Sequence, residues 1–278
     1  MHGIFVAAIL TTAIAIAIFG TLIRQLELPA NNRLLWLAAL ITLPLQPLAF
    51  YFVRVPLDQC LSAHLVHGSS TFQAIVSLYA PLTEEPAKLL PLLVPAIRRD
   101  ITPNNFVRYA LAIGLGFALG EMWFIAERIS RVAEFSTAPW YQFGGYIGER
   151  LMTCFLHATF VAVALRQFRR RFALGIAGAM AMHWAVNFPI FLMGWDVGGM
   201  GKAFWAVALQ VWLIGFVFAG VALLSYFVFG HFAPARFFYG RRHCPECGND
   251  YDASFLAVNM GRTRYERCPQ CRHWHWTT

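Results

Sequence analysis

Charge is scarce in this chain. Asp, Glu, Lys and Arg make up 13% of the 278 residues, against 58% hydrophobic, about half the charged share of an average soluble domain. That excludes an ordinary water-soluble protein. Lysine is nearly absent: of 22 basic residues only Lys88 and Lys202 are lysine. Most of the arginines sit at the ends of apolar runs, so the net charge of +8 does not read as a nucleic-acid surface. Repeats and low-complexity segments are absent too. The first apolar run, Gly3–Ile23, has no basic stretch ahead of it and is long enough to span a bilayer, so it reads as a first span and not as a cleaved signal peptide. Of six cysteines, Cys60 and Cys154 stand alone and read as apolar fillers.

What is present is apolar length. Seven stretches, roughly 3–23, 33–53, 70–97, 106–127, 147–166, 172–194 and 203–230, each reach the ~20 residues a crossing helix needs. The expected fold is an all-α polytopic membrane protein of about seven transmembrane helices over residues 1–235, followed by a small module over 236–278. The third stretch carries Pro81, Pro86, Pro91 and Pro95 and is expected to be broken. Thr83 is a fitting cap for a new helical start, which would put Glu84 and Glu85 in a positive first turn. Arginines set the orientation. Connections after spans one, three, five and seven hold Arg24, Arg33, Arg98, Arg99, Arg108, Arg166, Arg169, Arg170, Arg171, Arg236, Arg241 and Arg242; the other side holds Arg54, Arg128, Arg131, Arg150 and Lys202. The positive-inside rule then expects the N-terminus outside and the C-terminus in the cytosol, in a plasma (bacterial inner) membrane.

Few polar groups lie within the spans, and these few are informative. The third stretch holds Glu84, Glu85 and Lys88, the fourth Glu121, the fifth His157, the sixth His183 and Asn187. At 1.5 Å per residue Glu121 lies about 22 Å along its helix, His157 about 12 Å and His183 about 16 Å, so all reach the midplane or the outer half. Ionisable groups at that depth are costly unless paired or facing water. Glu84 and Lys88 are spaced for an ion pair on one helix face. Gly114, Gly116 and Gly120 give the fourth span a small-residue side, so Glu121 is expected to point into the bundle.

Carboxylates beside imidazoles in a dry pocket suit water activation: one glutamate as base, with an imidazole or Asn187 donating to an oxyanion. The same donors also suit a divalent metal. A structural ion pair, interhelical hydrogen bonds, or a proton-coupled transporter built around a broken helix are the competing readings. A silent membrane adaptor is a further one.

Taken in order, these motifs resemble a known family. Residues 84–88 (EEPAK), 116–121 (GFALGE), His157 and the pair His183-x3-Asn187 resemble the four successive motifs of the PrsW family of intramembrane proteases, over about residues 75–195. Related CAAX-processing and bacteriocin-immunity-type proteases end the second motif in His, whereas Glu121 matches the PrsW branch. The resemblance implies an intramembrane endopeptidase that cuts a membrane-anchored, anti-sigma-factor-like protein in or near its transmembrane segment. It implies Glu84, Glu85 and His183 as catalytic residues, with Glu121, His157 and Asn187 supporting, and leaves glutamic-type and metal-dependent chemistry both open.

The tail is of another kind. Cys244-x2-Cys247 and Cys268-x2-Cys271 stand 20 residues apart, the spacing of a zinc ribbon with a structural Zn2+. So short a module cannot bury a sufficient core, and the metal would supply its folding energy. His273 and His275 are substitute ligands, and Arg262, Arg264, Arg267, Arg272, Trp274 and Trp276 suit a protein, lipid or nucleic-acid partner. The family core has no such tail.

Overall fold

The structure, a computed structural model, describes residues 2–26, 28–66, 69–195, 199–260 and 263–277, and all side chains among them except those of Ser70 and Lys202. Arg262 and the Lys202 side chain, both named above, lie outside the described residues. Two helical runs open the chain: α1 (Gly3–Gln25), then α2 (Asn32–Thr42), α3 (Leu45–Ala49) and α4 (Val55–Ser62), the last two joined by a π-helical turn at Phe50–Arg54. Asn31 caps α2, its side chain accepting from the Arg33 N–H at 3.0 Å. Together Asn32–Ser62 forms one span-length run.

The third apolar stretch differs from the others. It is cut into α5 (Ser70–Ser77), α6 (Tyr79–Lys88), a 3-10 turn at Leu90–Leu93 and α7 (Pro95–Asp100), none long enough to cross alone. Six helical runs among the described residues are long and apolar enough to cross, against the seven expected. The break follows the prolines: Pro91 and Pro95 start the last two pieces. Thr83, however, is not a cap. α6 begins four residues earlier, and the Thr83 hydroxyl donates back to the Tyr79 carbonyl at 2.6 Å. The glutamates therefore sit in the second half of α6, away from its positive end. The pieces carry the chain back along the bundle, because the Asp100 carboxylate accepts from the Asn31 N–H at 3.2 Å, beside the start of α2.

Then follow α8 (Phe106–Ser130), α9 (Gly144–Arg166), α10 (Phe172–Gly194) and α11 (Gly201–Phe229). α8 is the hub: 78% of its apolar window is buried, against 17% for α11. Its glycines serve two faces, not one. A Cβ at Gly114 would overlap the Ala158 backbone of α9, whereas at Gly116 and Gly120 it would overlap the Ala39 and Leu43 carbonyls of the α2 run. At the end where α8 starts, Asn105 donates to the Pro29 and Asp100 carbonyls at 2.8 and 2.9 Å, and buried Arg108 bonds Leu28 O and Asn32 Oδ1. These bonds tie the α1–α2 loop to α7 and α8, and they place Arg108 inside the fold, not in a free connection.

After Gly230 (φ 74°) the chain turns into α12 (Pro234–Tyr239), whose Phe237 is fully buried in the helical core. The β module proper starts at Arg241. Strands β1 (Arg241–His243) and β2 (Asp250–Asp252) pair antiparallel, and β3 (Val258–Met260), β4 (Thr263–Arg267) and β5 (Trp274–Thr277) form an antiparallel sheet in that order. Gly116→Val is expected to cost at least ~1–3 kcal/mol by overpacking against Ala39 and to lower the melting temperature in detergent. Gly215→Ala, with open space around its Cβ, is expected not to lower that temperature.

Candidate active site and metal centre

Every polar residue expected at membrane depth is drawn into one region between α6, α8, α9 and α10, in two arms. In the first, Glu84, Glu85 and Lys88 of α6 are all buried. Lys88 Nζ lies 2.5 Å from Glu85 Oε1 and 4.0 Å from Glu84 Oε2. The close pair is thus Glu85–Lys88, three residues apart, and not the expected Glu84–Lys88. Glu84 is held instead by Arg54, which also donates from Nε to the Thr83 hydroxyl at 2.9 Å. His183 of α10 turns Nδ1 to Glu85 Oε1 at 2.5 Å and leaves Nε2 3.9 Å from Glu84 Oε2, beyond a direct hydrogen bond. Phe160 stacks on the His183 ring at 5.2 Å, and Lys88 Nζ sits over the Phe117 and Phe160 rings at 4.8 and 5.4 Å.

In the second arm, Glu121 of α8 binds His157 Nε2 of α9 at 2.7 Å, and its other oxygen lies 3.3 Å from Arg150 Nη1. Arg150 also bonds Glu149. His157 Nδ1 is buried without a hydrogen-bond partner. The arms meet at the imidazoles, whose centroids are 6.0 Å apart at 79°.

A cavity of about 980 Å³ opens onto this region, walled by Glu84, Glu121, His157, His183 and Asn187. Glu85 and Lys88 do not line it. The adjacent glutamates are therefore unlike: Glu84 faces the cavity with Oε2 unbonded, while Glu85 stands behind His183. Asn187, half-buried one turn beyond His183, completes the α10 wall. Arg54 and Gln46 also line the cavity, Gln46 with a buried unpartnered Oε1. Gln46, Phe50 and Arg54 recur every four residues, and the wide π turn at Phe50–Arg54 offsets the drift such spacing has on a regular α-helix.

Arg54 and Arg150 are the site residues that charge counting missed, since both were assigned to connections at span ends. One signal was available: Arg150 stands seven residues before His157, on the same helix face.

The cysteines converge separately. Cys244, Cys247, Cys268 and Cys271 place their sulfurs within 4.8 Å of one another, with Cys244–Cys271 at 3.6 Å and Cys247–Cys268 at 3.8 Å. A tetrahedron with Zn–S arms of ~2.3 Å has edges of ~3.8 Å, so the set fits zinc. Each pair lies on the same turn: Gly248 N–H bonds Cys244 O at 2.9 Å, and Arg272 N–H bonds Cys268 O at 3.0 Å. Both turns need left-handed backbone, φ 71° at Gly248 and 61° at Arg272. The Asn249 backbone N–H lowers the Cys247 thiol to about 6, whereas at Cys271 a backbone hydrogen bond is outweighed by burial and the neighbouring thiols, which push that thiol up to about 12. His273 and His275 stay outside the cluster; His275 packs behind Cys244 at 3.9 Å and meets the Tyr251 hydroxyl at 2.9 Å.

Among the described residues this is the one group of three or more His, Cys, Asp or Glu side chains close enough to share an ion. The membrane carboxylates fit a divalent metal poorly, because guanidinium groups hold Glu84 and Glu121. Compared with protein-family profiles, with curated proteins and with solved structures, the chain matches none.

Lys88→Met leaves the Glu85 charge buried without its ammonium partner and is expected to cost ~3–5 kcal/mol; adding Glu85→Gln should recover most of that loss in thermal unfolding of the detergent-purified chain. Arg272→Gly relieves a left-handed non-glycine residue and is expected to gain about 1 kcal/mol, read as roughly fivefold tighter zinc binding in chelator competition.

Proposed function

We propose that this chain is an intramembrane endopeptidase of the PrsW type. The observation that carries the reading is the inequality of the two glutamates: Glu84 shares a cavity wall with His183, His157, Glu121 and Asn187, while Glu85 and Lys88 lie behind it. In this reading Glu84 takes a proton from a water in the cavity and the resulting hydroxide attacks the scissile carbonyl carbon. Asn187 donates to the oxyanion. As the C–N bond breaks, the proton held on Glu84 passes to the leaving amine. Glu85 acts as a positioning residue, fixing the His183 ring through Nδ1 so that Nε2 faces the water site. Glu121 orients His157 in the same way.

The substrate is a membrane-anchored protein whose helix unwinds locally on entering the cavity, since a helical backbone shields its carbonyls. The run from α5 to α7 serves as a seventh, broken crossing. With it, the N-terminus lies outside and the zinc-bearing module in the cytosol.

The experiment is cleavage of a single-span reporter by the purified full chain. Glu84→Gln is expected to lower the rate by ~10²–10⁴, with melting temperature measured alongside so that loss of the Arg54 pair is separated from loss of the base. A Glu84→Gln protein that cleaves at the wild-type rate sinks the reading. A wild-type chain that cuts nothing but carries protons into liposomes supports the transporter alternative.

A further inference from the structure

A second cavity, of about 490 Å³, lies at the end of the bundle where α9 and α11 finish and α8 begins. Its mouth carries Arg166, Arg169 and Arg170. No Asp or Glu lines it, and among the described residues none of the three arginines pairs with a carboxylate. Three guanidinium groups around one concavity repel each other unless an anion joins them. Their existing partners leave donors free. Arg169 gives one N–H, from Nη2, to the Ile101 carbonyl at 2.9 Å. Arg166 lies over the Phe227 ring at 4.4 Å, contributing a face and not a hydrogen bond.

Thr102, Gln167 and Tyr226 add polar groups to the lining, and one side of it is apolar. Phe106 and Phe227 meet at 5.7 Å, with Leu165 and Phe168 beside them. These residues belong to α8, α9 and α11 or their ends, helices apolar enough to sit in hydrocarbon. The site therefore offers a cationic rim where spans end and an apolar wall below it. A small soluble anion would use only the rim, whereas an amphiphile uses both. We propose that this cavity binds the phosphate headgroup of an anionic phospholipid, with the start of an acyl chain against Phe227. Basic pockets between spans recognise lipid headgroups by this combination of charge and depth, and the planar guanidinium suits the phosphate oxygens. The site is separate from the Glu84 cavity and does not depend on its chemistry.

The test uses the full chain in detergent micelles, with short-chain phosphatidylglycerol, short-chain phosphatidylcholine and glycerol phosphate as three probes. Phosphatidylglycerol is expected to bind about tenfold or more tightly than either of the others. R166Q/R169Q/R170Q should weaken phosphatidylglycerol about tenfold or more, while the charge-matched R33Q/R98Q/R99Q, on exposed arginines at the same end, changes it less than about twofold. Phe227→Ala should weaken phosphatidylglycerol and leave glycerol phosphate unaffected, a readout that survives if the triple variant fails to fold. Equal binding of glycerol phosphate and phosphatidylglycerol overturns the lipid assignment in favour of a soluble phosphate. Equal losses in the two triple variants overturn the site in favour of diffuse surface charge.

Discussion

The fold depends on how three carboxylates at membrane depth are kept. Glu84 and Glu85 are buried and Glu121 is half-buried, and an uncompensated charge at that depth costs several kcal/mol. Each is met by a cation from a different place: Glu84 by Arg54 at the π turn, Glu85 by Lys88 on its own helix, Glu121 by Arg150 on α9. Much of the local irregularity follows from those pairings. The π turn widens the α2–α4 run just where Arg54 must face α6. α6 stops at Lys88, and a 3-10 turn follows at once. Phe117 and Phe160 close over the Lys88 ammonium, giving it π faces in place of water.

Those pairings also make the two neighbours unequal. The Glu85 carboxylate is fixed by an ammonium and an imidazole. Glu84 lines the cavity, with one oxygen held by Arg54 and the other buried without a hydrogen bond. The imidazoles are anchored through opposite nitrogens, His183 through Nδ1 and His157 through Nε2. Geometry thus ranks residues that their sequence motif treats as equals.

The ribbon was legible almost completely, because four cysteines at fixed spacing define both ligand set and turn geometry; only the left-handed Arg272, in the place that Gly248 takes in the first turn, was not. The polar constellation was legible because scarcity makes each buried charge conspicuous, and helical rise predicts depth well enough to bring the residues together. Partner choice was not. Lys88 lies within reach of both glutamates, and selecting Glu85 depends on where Arg54 arrives from a helix far away in sequence. Thr83 has the residue type of a cap, but α6 starts at Tyr79, since Pro81 and Pro86 are both accommodated within it. Arg54 and Arg150 were hidden because a rule that reads arginines as boundary markers cannot separate one that ends a span from one that turns inward.

The ribbon is more than a tethered appendage. Tyr239, the last residue of α12, lies between the Arg264 guanidinium at 3.8 Å and the Phe255 ring at 6.3 Å, and Asp252 of β2 lies 3.5 Å from Arg236. On the other side of α12, Phe238 meets Phe155 of α9 at 5.9 Å, and Phe155 meets Phe19 of α1 at 4.8 Å. α12 is therefore gripped from both sides. The four-cysteine cluster that could hold a metal such as zinc sits in the ribbon half of that grip. A metal bound there would stabilise a module with too little core of its own, and through it would help to seat a six-residue helix that has almost no stability alone.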